Sequence, residues 1–138
     1  MKIAFLDTVH HVLEDELIAL GHQCHDLTKM AKVEIEDQIG DYDGIVVRSR
    51  FPMNQEFLAK ATELKFIARS GAGMENIDVS YCESRKIALF SAPEGNRNAV
   101  AEHALGMILS LFNKLHFADA EVRNGKWDRE GNRGEELD

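Results

Sequence analysis

The sequence is poor in cysteine and has no long apolar run. It contains two cysteines, Cys24 and Cys82, which lie far apart and form no Cys-x-x-Cys pair. This argues against a disulfide framework and favours two reduced thiols. No apolar run approaches the ~20 residues of a membrane span. The apolar stretch at the N-terminus is short and ends at Asp7, so we expect no signal peptide and a cytoplasmic location.

Positive charge is also scarce. The chain has 16 Lys and Arg residues against 24 Asp and Glu residues, which gives a net charge of −8. Broad binding to nucleic acids or to anionic membranes needs a positive surface, so the sequence predicts neither. The remaining composition, 44% hydrophobic and 29% charged over 138 residues, is that of a globular domain with some additional chain.

Short apolar segments alternate with helical patterns over the first two thirds of the chain. Five of these segments are predicted to be strands: residues 2–6, 22–27, 44–47, 65–68 and 87–90. The alternation predicts an α/β domain over residues 1–96, with a five-stranded parallel sheet covered by helices on both faces. Asp7 or Thr8 is expected to cap the first helix, because both side chains can accept a backbone N–H.

A different pattern follows, and it predicts one long helix over residues 97–124. The helix is apolar over most of its circumference, which is typical of burial on more than one face. A second domain or a second subunit is therefore expected to cover part of it. Residues 125–138 are polar apart from Trp127 and Leu137, and we predict an exposed connector there.

Three of the predicted strands end in loops suited to a ligand. Arg48-Ser49-Arg50 follows the third strand, Gly71-Ala72-Gly73 follows the fourth, and Asn96 lies shortly after the fifth. In a parallel sheet these loops lie at the carboxyl edge, where open α/β sheets bind ligands. Arginines and exposed backbone N–H groups at one edge suit a small anion.

The glycine loop allows several interpretations. Gly71-Ala72-Gly73-Met74-Glu75-Asn76 resembles a dinucleotide fingerprint, but Asn76 replaces the third glycine and is too large for close helix–strand packing. A tight turn with glycine at positive φ is a second possibility. A backbone nest that holds a carboxylate near a helix N-terminus is the interpretation we prefer. Arg48-Ser49-Arg50 would be a plain solvated loop if no ligand binds there.

No catalytic or metal-ligating constellation stands out in the sequence. His22 and His25 are three apart on a predicted strand and so face opposite sides. The pair His10 and His11 has no carboxylate at ligand spacing, and His103 lies beside Glu102 in the long helix. The sequence therefore predicts no metal site and no catalytic residue in this chain.

Four blocks of sequence together resemble the NAD-dependent D-2-hydroxyacid dehydrogenases, and within them the D-3-phosphoglycerate dehydrogenase-like branch. They are VVRSR at 46–50, LKFIARSGAGMENID at 64–78, APEGNRNAVAEHAL at 92–105 and NGKW at 124–127. The resemblance implies a flavodoxin-like substrate domain, a three-layer sandwich, followed by a long interdomain helix. It also implies that a Rossmann domain beyond residue 138 would carry NAD and the catalytic Arg, Glu and His.

The resemblance implies roles for residues of this chain as well. Arg48, Ser49 and Arg50 match a loop that contacts a substrate phosphate or carboxylate. Ala72 and Gly73 match a nest that holds the carboxylate of a 2-hydroxy acid, and Asn96 matches a polar residue at the cleft and hinge. The implied reaction is hydride transfer between the substrate and NAD, in an enzyme of serine biosynthesis. Because one apolar face of the long helix would be left uncovered in this chain, we also expect a homodimer that pairs through this helix. The 138-residue chain alone is expected to be inactive.

Two other functions remain open from the sequence. The first is a free-standing flavodoxin-like module that binds an anion or regulates a partner. The second is a receiver-type signalling domain, which is disfavoured because Arg48 stands where a receiver needs an acid, at the end of the third strand. A Gly-x-Gly-x-x-Gly motif within ~15 residues downstream of Asp138 would favour the enzyme over the module.

Overall fold

The computed structural model describes residues 1–137 and divides into two compact units. The first is Met1–Gly95, and the second begins at Asn96.

The first unit contains a five-stranded sheet in which every pair of neighbouring strands is parallel. The strand order is β2-β1-β3-β4-β5, with bounds β1 Lys2–Phe5, β2 Gln23–Asp26, β3 Gly44–Val47, β4 Phe66–Arg69 and β5 Ala88–Ser91. This is the flavodoxin-like order, in which the chain reverses direction across the sheet at the junction of β1 and β3. The predicted fold class is confirmed.

Helices cover the two faces of the sheet unequally. The first unit has four α-helices, α1 His11–Ala19, α2 Lys32–Glu36, α3 Gln55–Lys60 and α4 Val79–Ser84, and 3-10 turns at Ile39–Asp41 and Pro93–Gly95. The larger core cluster packs α2, α3 and α4 against one face, through residues such as Ile35, Phe57 and Cys82. A smaller cluster on the other face contains Val46, with Leu17 of α1 packed against it.

The start of α1 differs from the prediction that Asp7 or Thr8 caps it. The helix begins at His11, and its cap is His10, whose Nδ1 accepts the backbone N–H of Val12 at 3.3 Å. Asp7 is unavailable as a cap because its carboxylate is hydrogen bonded to another loop of the sheet edge.

The second unit contains the long helix, but this helix is shorter than predicted. Helix α5 spans Arg97–Phe112 and α6 spans Leu115–Arg123. Between them, the Asn113 side chain donates to the carbonyl of Leu109, and Lys114 adopts a left-handed conformation with φ of 51°. A left-handed lysine cannot continue a right-handed helix, so the single helix predicted over residues 97–124 is interrupted.

The residues after α6 fold back on this unit. The backbone N–H of Glu135 donates to the carbonyl of Phe112 at 3.2 Å, and Lys114 Nζ donates to the carbonyl of Gly131 at 3.0 Å. The first of these bonds satisfies a carbonyl left open at the end of α5, and the second ties the Lys114 side chain to the same segment. Trp127 is 81% exposed, in keeping with the polar, exposed character expected of this segment.

Among residues 1–137, none of the helices combines the length and the apolar character that crossing a bilayer requires.

Candidate functional site

The carboxyl edge of the sheet carries a first loop, Arg48-Ser49-Arg50, directly after β3. Its three consecutive backbone N–H groups converge on one oxygen, Oδ2 of Asp7, at 2.6, 3.0 and 3.1 Å. Asp7 lies just beyond the end of β1, so this contact bridges the ends of two neighbouring strands. Convergent backbone N–H groups form an anion-binding nest. The anion in this nest is a side chain of the protein itself.

Arg50 completes a reciprocal contact across the same two strands. Its guanidinium NH1 donates to the carbonyls of Leu6 at 3.1 Å and Leu27 at 3.0 Å, and NH2 donates to the carbonyl of Met30. These carbonyls lie beyond the ends of β1 and β2. These bonds hold the guanidinium at the strand ends, while its Nε and one N–H of NH2 have no partner within residues 1–137 and the residue is exposed.

Arg48 is placed differently from Arg50. Its carbonyl accepts hydrogen bonds from Arg69 Nε at 3.2 Å and from Asn76 Nδ2 at 3.3 Å, which fix the backbone. Within residues 1–137 the Arg48 guanidinium makes no hydrogen bond and no ion pair, and the residue is exposed, as is Ser49. The charged group of Arg48 is therefore available to a ligand.

The second loop follows β4 and has an open backbone. The N–H of Ser70 donates to Val47, and that of Gly71 donates to Arg69. The next two N–H groups, of Ala72 and Gly73, have no acceptor in the described part of the chain. The sequence singled out Ala72 and Gly73 as a nest, and their free N–H groups are suited to an anion.

The glycines of this loop do not adopt the positive φ that a tight turn would require, so that interpretation is wrong. A Cβ on Gly73 would lie 1.9 Å from Oε1 of Glu75, and a Cβ on Gly71 would lie 2.6 Å from NH1 of Arg69. Both neighbours are ends of flexible side chains. Because Gly73 and Gly71 have no Cβ, the Glu75 carboxylate and the Arg69 guanidinium can lie directly against the backbone at these two positions.

The loop does not fit the pyrophosphate of a dinucleotide. The fingerprint places its third glycine at the start of a helix, but α4 begins only at Val79, where Asp78 Oδ1 caps it by accepting the N–H of Tyr81 at 3.0 Å. Asn76 is tied to the Arg48 carbonyl and its own carbonyl accepts the N–H of Met53 at 2.7 Å. The expected helix N-terminus beside the nest is also absent from this stretch.

Asn96 belongs to the second unit, where it is the residue before α5 and makes no side-chain capping hydrogen bond. Its predicted role at a cleft stays a prediction.

Three residues of the edge were missed as site residues in the sequence analysis: Asp7, Arg69 and Asn76. Asp7 was taken for a helix cap, although an acid just past a strand end is equally suited to a neighbouring loop. Arg69 is largely buried, with a side chain 17% exposed, and lies 3.9 Å from Glu75. The side-chain amide oxygen of Asn76, Oδ1, is buried without a hydrogen-bond partner in residues 1–137.

The environments of the cysteines and of His25 do not indicate a catalytic or metal-binding role. Burial raises the pKa of the Cys82 thiol, and it also raises the pKa of Cys24, so both thiols stay protonated and are poor nucleophiles. His25 Nδ1 lies 2.9 Å from the hydroxyl of the buried Tyr42. No group of three His, Cys, Asp or Glu side chains within residues 1–137 is placed to hold a metal.

The fold and the edge together define a doubly wound α/β domain whose loops after β3 and β4 carry free polar groups. A family described as D-isomer specific 2-hydroxyacid dehydrogenase, catalytic domain, matches residues 3–126, and the chain belongs to this family. The resemblance found in the sequence is thereby confirmed.

Individual relatives agree with the family assignment. The chain is 34% identical over 137 residues to a D-3-phosphoglycerate dehydrogenase of Archaeoglobus fulgidus, and 36% identical over 136 residues to one of Synechocystis. Each alignment covers 99% of this chain but only 26% and 24% of the relative, so the chain spans about a quarter of their length.

A solved structure, the NAD+-bound 3-phosphoglycerate dehydrogenase of Entamoeba histolytica, superposes with a TM-score of 0.68 at 31% identity. The superposition covers 83% of this chain and 40% of the Entamoeba histolytica chain.

Proposed function

We propose that this chain is the substrate-binding domain of an NAD-dependent D-2-hydroxyacid dehydrogenase. The observation that carries the proposal is the placement of these groups in the loops that follow the neighbouring strands β3 and β4: an unengaged Arg48 guanidinium after β3, and the free N–H groups of Ala72 and Gly73 after β4. A small acid with two anionic ends could meet both. D-3-phosphoglycerate has a carboxylate, a 2-hydroxyl and a phosphate, and the names of the curated relatives support it as the substrate.

In this proposal the carboxylate of the substrate binds the N–H groups of Ala72 and Gly73. The Arg48 guanidinium binds the second anionic group, with Ser49 beside it. Arg50 supports the loop, and Asn96 keeps the role that the family resemblance implies for it. Arginine suits this task because its planar donors can bind two oxygens of a phosphate or carboxylate at once.

The cofactor requires a second domain. NAD is the cofactor we propose, on the support of the family and of the NAD+-bound relative. The Gly71–Asn76 loop does not fit its pyrophosphate, so a separate nucleotide-binding domain must hold it. The same domain would supply the catalytic groups for proton transfer.

The proposal extends to assembly and location. The exposed apolar side chains of α5 support a homodimer that forms through this helix. The net charge of −8 gives no support to a nucleic acid or an anionic membrane as a partner, and we propose a cytoplasmic enzyme.

The test is formation of NADH from D-2-hydroxy acids by the full-length gene product that contains this chain. We expect turnover of D-3-phosphoglycerate, none of the L isomers, and none by residues 1–138 alone. Absence of turnover with every D-2-hydroxy acid would contradict the enzyme assignment. Anion binding without turnover would instead favour a free-standing binding module.

A further inference from the structure

The carboxylate of Asp7 lies at the edge of the sheet that we propose binds an anionic substrate, so its role there needs an explanation. Its Oδ2 accepts three backbone N–H groups, from Arg48, Ser49 and Arg50, within 3.1 Å. In return, the Arg50 guanidinium donates to the carbonyl of Leu6, the residue before Asp7. The Asp7 side chain thus binds the backbone of the loop after β3, and the Arg50 side chain binds the backbone beside Asp7. We call this pair of contacts the Asp7–Arg50 clasp.

The clasp lies at the junction of β1 and β3, where the strand order reverses. Doubly wound sheets ordinarily bind their ligand in the crevice at this junction. Here the N–H groups that would receive an anion at the junction already hold the Asp7 carboxylate. A second anion in the same nest would meet a like charge within hydrogen-bond distance and would be repelled.

The next loop along the sheet also has a carboxylate nearby, that of Glu75 beside Gly73. Within residues 1–137 this carboxylate accepts no backbone N–H of the loop, and it lies 3.9 Å from the Arg69 guanidinium. The N–H groups of Ala72 and Gly73 have no acceptor within residues 1–137. The clasp fixes the Arg48 backbone from one side, while Arg69 and Asn76 fix its carbonyl from the other. The Arg48 guanidinium is the part of this residue that is left free to move.

We propose that Asp7 is a positioning residue that fills the β1–β3 nest, and that the substrate is thereby directed to the β3–β4 side of the edge. This inference rests on the proposed function, since it concerns the same substrate. Asp7 itself does not touch the substrate. It fixes the loop from which the Arg48 side chain projects.

The experiment compares Asp7→Ala with wild type in the full-length protein, with D-3-phosphoglycerate as substrate. We expect KM to rise by about tenfold or more, because a charge-assisted network is lost, while kcat changes much less. The control is Asp26→Ala at the end of β2, whose carboxylate accepts hydrogen bonds from Thr28 and from none of the residues of the clasp. Its KM should match that of wild type.

Added formate provides a readout that a general loss of packing would not give. Formate can occupy the vacated nest in Asp7→Ala and accept the same N–H groups. It should lower the KM of this variant toward the wild-type value and should not lower the KM of wild type or of Asp26→Ala. An unchanged KM in Asp7→Ala, or a raised KM that formate does not lower, would overturn the proposal.

A second measurement does not depend on turnover. In residues 1–138, Asp7→Ala should speed amide hydrogen exchange at Ser49 and Arg50, and Asp26→Ala should not. If Asp7→Ala fails to fold, Asp7→Asn replaces it, because this variant keeps the shape of the side chain. Exchange at Ser49 and Arg50 in Asp7→Asn should be faster than in wild type. Equal exchange in wild type and both Asp7 variants would overturn the clasp. Absence of turnover by wild type, with exchange as expected, would count against the proposed function alone.

Discussion

Arg48 and Arg50 are separated by one serine and have different surroundings. Arg50 uses its guanidinium on three backbone carbonyls beyond β1 and β2, whereas Arg48 has no side-chain partner within residues 1–137. The sequence predicted both as substrate ligands, since both follow β3. The division between them depends on carbonyls brought together only by the folded chain, which no local pattern contains.

The two arginines should therefore fail in different ways. Arg48→Ala should raise KM for D-3-phosphoglycerate about 10- to 100-fold, because one charge-assisted hydrogen bond to a ligand is worth about 1.5–3 kcal/mol. Its free energy of unfolding should stay near that of wild type. Steady-state kinetics and urea unfolding of each variant measure the two effects.

Arg50→Ala should lower the free energy of unfolding by about 1.5–3 kcal/mol, because the carbonyls of Leu6, Leu27 and Met30 lose a charged donor. Any rise in KM should accompany this loss of stability. A stable Arg50→Ala protein with a large loss of substrate affinity would show that Arg50 binds the substrate directly.

At the scale of secondary-structure elements, the sheet was predictable and the helix ends were not. Strands such as β3 are short apolar runs because both faces of a central parallel strand are buried, and all four residues of Gly44–Val47 are. The break after α5 is accompanied by hydrogen bonds with residues far along the chain: the N–H of Glu135 donates to the Phe112 carbonyl, and Lys114 Nζ donates to the Gly131 carbonyl. Helical periodicity carries no information about such distant partners.

Helices α2 and α3 are joined by a carboxylate that makes stability depend on pH. Glu36 receives a hydrogen bond from Lys60 Nζ at 2.6 Å and lies 3.4 Å from Lys32 Nζ. The Lys60 hydrogen bond, more than that of Lys32, holds the pKa of Glu36 below its usual range. A lowered pKa stabilises the fold above the unfolded value of about 4.3, and this stability is lost as the pH falls through the folded value.

Glu36→Gln should therefore destabilise the protein at neutral pH and should have little effect well below about pH 4. Urea unfolding across this range measures the difference. Glu56→Gln on α3 is the matched control, since Glu56 forms no ion pair within residues 1–137. An effect of Glu36→Gln that is equal at all pH values would contradict the assignment.

At the scale of the whole molecule, helix α5 exposes many large apolar side chains. Leu111 is 63% exposed, Val100 59% and Met107 56%, although a long helix this apolar is typical of a buried one. Contiguous exposed apolar surface promotes association. We expect residues 1–138 to form a two-fold dimer through α5.

Analytical ultracentrifugation tests this assembly. Wild type should sediment as a dimer and Leu111→Glu or Phe112→Glu as a monomer. Leu20→Glu, which changes a still more exposed apolar residue in the first unit, should remain a dimer. A wild-type monomer at high micromolar concentration would count against the dimer. So would a Leu111→Glu protein that remains dimeric.

The central claim is that a small anionic 2-hydroxy acid binds at the β3–β4 side of the sheet edge. Titration of residues 1–138 with D-3-phosphoglycerate, followed by amide NMR, tests it most directly. We predict saturable shift changes that are largest at the N–H groups of Ala72 and Gly73, with smaller ones at Ser49 and Arg50, which Asp7 already occupies. No saturable change at the edge, or the largest changes at Ser49 and Arg50, would contradict the account.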